Sequence, residues 1–153
     1  MSSRRDQITV ACVNALDGAG KPAGLAVYRQ RTISLSYQQL PAQIVYAVLE
    51  DVETGPGRGA PPNPQRKAKR KVRLCVEHRV NAETDSPDAA IDPLLSWAVQ
   101  TLCADVTVGG LAYDLKEMGT TWDEVEQDKV YAAARTFFDI EYVTDAADPT
   151  ALT

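Results

Sequence analysis

The stretch Val72-Arg73-Leu74-Cys75-Val76-Glu77-His78-Arg79-Val80 alternates without a break. Val72, Leu74, Val76 and Val80 point one way, and Arg73, Cys75, Glu77 and Arg79 the other. A period of two over nine residues is the signature of a strand with one face on a core and one face wet. Working upstream, residues 54–65 read T-G-P-G-R-G-A-P-P-N-P-Q, with three glycines and four prolines in twelve positions. That composition forbids helix and strand, so residues 54–66 are expected to form a long flexible loop at a hairpin tip. Beyond it lies a nearly unbroken apolar run, Ile44 to Leu49 after Leu40-Pro41-Ala42. Both alternating faces of that run are apolar, so it is expected to be a central strand buried on both sides.

Helical periodicity frames these strands. Residues 3–17 place Ile8, Ala11, Cys12, Ala15 and Leu16 on one face, with Ser3 and Asp6 as an N-terminal capping pair and Asp17-Gly18 as the stop. A second helix lies within 88–104, where Ile91, Leu94, Leu95, Ala98, Val99 and Leu102 share a face. Asp92-Pro93 fits an N-cap followed by proline, which puts the start of the regular helix at Asp92. Gly109-Gly110 breaks the chain after it. Strands are expected at 24–30, near 33–37, at 111–115 with a partner around 120–125, and over 130–144, where Phe138, Ile140 and Tyr142 share a face. The tail is expected to fray from about residue 145. The whole chain, 1–153, reads as one domain of the α+β class: a mixed, mainly antiparallel sheet with two helices packed on one face.

Composition bounds the function. The 153 residues are 44% hydrophobic and 24% charged, ordinary for a globular domain. No apolar run reaches the length of a membrane span, and no apolar segment follows the basic Arg4-Arg5 start, so neither membrane nor secretion signal is expected. Cys12, Cys75 and Cys103 are too few and too scattered for a disulfide framework. Charge is segregated. Six cations fall within 66–73 (Arg66, Lys67, Lys69, Arg70, Lys71, Arg73), whereas ten acids face three bases from Asp114 onward. Unlike patches of this kind suit head-to-tail association or two different partners.

Catalytic constellations do not assemble. His78, the one histidine, falls on the apolar face of its strand, where a satisfied core histidine is the expectation. Cys75 lies three residues away and therefore on the opposite face, which defeats both a zinc site and a Cys-His pair. Glycines at 55, 57 and 59 lack the Gly-Lys-Ser/Thr ending of a phosphate loop. Asp123, Glu124, Glu126 and Asp128 do not follow calcium-loop spacing. We therefore expect no enzyme, no cofactor and no metal. The cations at 66–71 have the charge to grip a phosphate backbone, but no aromatic residue is interleaved with them.

Several stretches resemble the tail terminator family of long-tailed bacteriophages, the group of lambda minor tail protein U. They are R-R-D-Q-I-T-V-A-C-V-N-A-L at 4–16, L-P-A-Q-I-V-Y-A-V at 40–48, D-P-L-L-S-W-A-V-Q-T-L at 92–102 with the following Gly109-Gly110-Leu111, and F-F-D-I-E-Y-V-T at 137–144. The similarity spans roughly 4–145, and the long basic segment 54–71 departs from the family pattern. The resemblance implies a virion structural protein of the tail or neck, assembled in the host bacterial cytoplasm. It implies a ring of identical subunits, hexameric on the family pattern, at the head-proximal end of the tail tube. Such a ring ends tube polymerisation and offers a surface to a head-tail connector or head-completion protein, and DNA passes through its lumen without sequence-specific binding. Candidate interface residues are Arg66, Lys67, Lys69, Arg70, Lys71 and Arg73 on the basic side, with Phe137, Asp139, Glu141 and Val143 on the last strand. Alternatives are another neck, head-tail joining or tube protein, and, from a different class, a small nucleic-acid-binding module using 66–73.

Overall fold

The computed structural model describes residues 2–29, 39–54, 66–81, 86–123 and 131–150. In chain order the elements are α1 (Arg4–Leu16), β1 (Ala26–Arg29), β2 (Ala42–Thr54), β3 (Lys67–Asn81), α2 (Pro87–Cys103), β4 (Asp114–Trp122) and β5 (Tyr131–Asp145). The strands form one sheet in the order β1-β2-β3-β5-β4. Only the β1–β2 pairing is parallel; β2–β3, β3–β5 and β4–β5 are antiparallel. The fold is the α+β arrangement that the periodicities predict, with both helices against the face carrying Val72, Leu74 and Val76. Ile8, Cys12 and Leu16 from α1 and Ala98 and Leu102 from α2 meet Val45, the three β3 residues, Leu115, Phe138, Ile140 and Tyr142 in one core. A smaller cluster at the other end joins Leu25, Val80, Ile91, Leu94, Ala132 and Ala134.

Local chemistry explains the helix ends, with two corrections. Ser3 caps α1 by accepting the Asp6 N–H at 3.2 Å. The left-handed glycine after α1 is Gly20, at φ 91°, rather than Gly18. Gly20 lies against the Trp97 ring, and the Trp97 indole donates to the terminal Leu16 carbonyl at 2.9 Å, closing an otherwise open acceptor at the helix end. α2 starts at Pro87, with Ser86 before it and Pro93 inside the helix, so the Asp92 start expected from sequence is one and a half turns late. Both Ser86-Pro87 and Asp92-Pro93 carry the same start signal, and the earlier one brings Ile91 onto the buried face.

That register also moves the packing weight within α2. Ile91, Leu94, Ala98 and Leu102 are buried, while Leu95 and Val99 are only half-buried. Leu95→Ala should therefore cost about 1 kcal/mol, and Leu94→Ala about 2–3 kcal/mol. Urea denaturation of the two variants checks the order, and a larger loss at Leu95 would mean the helix is rotated from this placement.

Three further expectations change. β2 is buried on both faces only over Ala42–Val45, where β1 flanks it. Among the described residues β1 ends there, and β2 continues with no strand on that side and with Val48, Leu49 and Val52 exposed. The central strand is β3, whose supposedly wet side holds buried Cys75 and Glu77. Their neighbours in register are Tyr46 and Phe137 beside Cys75, and Ile44 and Arg135 beside Glu77; such large side chains on both flanks cover shorter ones on a middle strand. The tail expected to fray at 145 is held through Thr150. The Ala146 N–H donates to the Arg66 carbonyl at 2.8 Å, the Arg4 N–H to the Pro149 carbonyl at 2.9 Å, and the Arg4 guanidinium to the Thr150 carbonyl at 3.3 Å. The strand expected near 33–37, the loop between Thr54 and Arg66, and Glu124, Glu126 and Asp128 lie outside the described residues.

Candidate functional site

Among the described residues both helices lie on one side of the sheet; we call the other side the open face, on which Cys75, Glu77 and Asp139 are nonetheless buried. Odd-numbered residues of β3 and β5 point to it. Eight of the ten sequence-predicted interface residues therefore share it: Lys67, Lys69, Lys71 and Arg73 on β3, and Phe137, Asp139, Glu141 and Val143 on β5. The pairing brings them side by side, Lys69 with Val143, Lys71 with Glu141, Arg73 with Asp139, and Phe137 with Cys75. Arg70 is the exception. It points to the helix side, donates to Thr144 Oγ1 at 2.9 Å and lies 3.7 Å from Glu50. Arg66 sits just before β3 with its side chain exposed and its carbonyl bound to Ala146.

The basic run is not an isolated cationic arm, because β3 lies between two acid-bearing strands. Lys69 stands opposite Glu53 on β2, and Lys71 between Asp51 and Glu141. Arg73 makes a two-pronged contact with Asp139, Nε to Oδ1 at 2.8 Å and Nη2 to Oδ2 at 3.1 Å, the geometry that suits a guanidinium fork. Arg70 and Arg73 are already engaged by Glu50 and Asp139, and the acids beside Lys69 and Lys71 lower the local positive potential, which weakens the nucleic-acid reading relative to one in which the face meets protein.

Toward the other end of the open face, Glu77 anchors an ion network that spacing did not reveal. It is 3% exposed. Arg135 Nε donates to Glu77 Oε1 at 2.8 Å, and Arg79 Nε to Glu77 Oε2 at 2.6 Å. Arg135 also donates to Asp123 at 2.7 Å, and the Arg79 guanidinium lies over the Tyr131 ring, 4.3 Å from its centroid. Asp123, considered in the sequence as part of an acidic cluster, is thus an ion-pair partner. Tyr46 borders the same region, its phenol pushed up to about 12 by burial first and then by neighbouring Cys75. A second charge cluster lies on the helix side, where Glu50 receives Arg5 Nη1 at 3.0 Å and the Tyr142 hydroxyl, tying α1 to β2 and β5.

His78 occupies the helix side and is fully buried. Gln43 Nε2 donates to the Leu94 carbonyl at 2.9 Å and also lies 3.2 Å from His78 Nδ1. The Leu94 carbonyl fixes the direction of the Gln43 amide, so Nδ1 must accept and the ring proton sits on Nε2. Nε2 then donates to Thr136 Oγ1 at 2.9 Å, which is 3.0 Å from Thr120 Oγ1. The chain of donors and acceptors fits a neutral structural imidazole, and Cys75 is on the opposite face of β3, as the odd spacing predicts.

The two flanks of the sheet carry its exposed apolar groups. Val48, Leu49 and Val52 lie on the part of β2 beyond β1, and Met118 and Trp122 on β4 with Tyr113 just before it. All six are between 47% and 58% exposed. Each strand also has one bulge, between Ala47 and Leu49 in β2 and between Glu117 and Gly119 in β4. Comparison with protein-family models and with curated proteins finds no match to this chain.

Proposed function

We propose that this protein is a non-catalytic virion subunit of the tail terminator type. In this reading it forms a ring, of six copies on the family pattern, at the head-proximal end of a phage tail tube. The ring ends tube growth, presents a joining surface to a head-completion protein and lets DNA pass through its lumen. The observation that carries the reading is the one-sided build of the sheet. Among the described residues both helices lie on one face, and the other face and the two flanks carry no helix, which leaves them for protein contacts. The open face holds eight of the ten residues that the resemblance and charge pattern single out. A ring needs two different patches on each subunit, each complementary to the other, and a sheet with unlike flanks supplies them. On that face the buried Glu77 ties β3 to β5 through Arg135.

A terminator must bind the end of a polymer and leave its own far side unfit for the next tube ring. Adding the protein to polymerising tube protein should limit tube length without dissolving finished tubes. Its removal from the phage should give overlong tails without heads, visible by negative-stain microscopy. Normal tail length with heads attached would overturn the assignment. Finished tails of normal length that fail to bind heads would instead indicate a joining protein.

A further inference from the structure

We propose that the free flank of β2 in one copy pairs with the free flank of β4 in a second copy, continuing the sheet from subunit to subunit. The inference rests on the ring reading for its occupant; the contact itself follows from the two flanks. Among the described residues, β1 covers β2 only at Ala42–Val45, and β4 pairs on one side only, with β5. Each flank therefore leaves a row of backbone donors and acceptors of the kind that templates another strand. Six of the eight exposed large hydrophobic residues of the described chain lie on or beside these flanks. Monomeric proteins protect sheet edges with charge, and apolar exposure there marks a contact.

Strand sense and side-chain pattern agree. Along the sheet β2 and β4 run in opposite directions, because three antiparallel pairings separate them. A second copy placed beside the first in the same orientation thus brings its β4 antiparallel to β2. One register keeps each face matched and uses the β4 bulge once: Glu53 with Lys116, Val52 with Glu117, Asp51 with Gly119, Leu49 with Thr121 and Val48 with Trp122. It sets exposed Lys116 against exposed Glu53, covers Val48 with the indole, and puts no two like charges directly opposite. Because the two flanks differ, the contact is head-to-tail and closes into a ring when the rotation per copy allows.

The test uses the full chain. Wild-type protein should show concentration-dependent association by light scattering, and a zero-length carbodiimide should join Glu53 of one copy to Lys116 of another, read by mass spectrometry. Leu49→Lys and Trp122→Lys should each abolish growth alone, with unchanged circular dichroism. Mixed together they should give a dimer and nothing larger, since each retains one intact flank. Glu53→Lys and Lys116→Glu should each weaken association about tenfold, and the double variant should recover it. A wild-type chain that stays monomeric to about 1 mM, or Leu49→Lys and Trp122→Lys chains that associate like wild type, would overturn the proposal. Recovery failing in the double variant would overturn the register. Association through these flanks in a protein whose loss leaves tail length normal would sink the terminator reading and leave the pairing standing.

Discussion

Replacing Glu77 with alanine should cost about 3 kcal/mol or more of folding stability, out of the roughly 5–15 kcal/mol typical of a domain. Glu77 is 3% exposed and accepts from both Arg79 and Arg135. Removing it leaves two guanidinium groups facing each other across β3 and β5 without their shared anion. Arg135 keeps Asp123, and Arg79 keeps the Tyr131 ring, so the loss belongs at the lower end of the range for broken buried pairs. Glu77→Gln preserves an acceptor oxygen while deleting the charge, and should fall between wild type and alanine. The pairing itself is separable from burial by a double-mutant cycle. Glu77→Leu with Arg135→Met should lose less than the sum of the two single changes, because the pair is removed without orphaning either partner. Urea denaturation gives each value. A loss below about 1 kcal/mol for Glu77→Ala would show that water already compensates the two arginines.

That network also marks where sequence reading stops. The alternation of 72–80 placed Val72, Leu74 and Val76 on the core, put His78 with them, and gave the open face its membership. It did not make Glu77 a buried anchor. Its partner Arg135 is 58 residues away, and the Asp123 that Arg135 also holds lies 12 residues before Arg135; only the adjacency of β3, β5 and β4 brings the three together. Arg73 and Asp139 are a similar case, both named as interface candidates yet not as partners, since 66 residues separate them. The apolar run at 42–49 misled for a related reason. Apolar residues on both alternating faces predict burial along the whole run, but how much of a strand is covered depends on the length of its neighbour, and β1 as described has only four residues. In α2 the periodicity finds Ile91, Leu94, Ala98 and Leu102 but also takes in the half-buried Leu95 and Val99, and it misses the boundary, because two Ser/Asp-Pro signals compete six residues apart and tertiary packing of Ile91 decides between them. The exposed apolar residues of the flanks were not legible: Val48 and Leu49 lie in a run that reads as buried on both faces, and matching edges exist only once the strand order is known.

Lowering the pH should weaken the fold through His78 in particular. Burial pushes its pKa down to about 4, from 6.5 for a free imidazole. The folded state therefore holds the ring neutral, with Nδ1 accepting from Gln43 and Nε2 donating to Thr136. Above pH 6.5 both folded and unfolded chains carry neutral imidazole, and the group contributes no pH dependence. Between 6.5 and 4 the unfolded chain binds the proton and the folded one does not, so stability falls as pH falls, by up to about 1.4 kcal/mol per pH unit. Below 4 both states are protonated and the loss is complete, about 3 kcal/mol in all. A charged ring would also turn Nδ1 from acceptor to donor against the Gln43 amide nitrogen, which the Leu94 carbonyl holds in place. Carboxylates titrate in the same window, so the measurement is a difference. Urea midpoints of wild type and His78→Gln, taken from pH 7.5 to 4, should converge or cross as the wild type alone pays this proton cost. Parallel curves would mean that the imidazole is charged in the folded protein or reaches water, and that the Gln43–His78–Thr136 contacts do not hold the ring neutral as their distances imply.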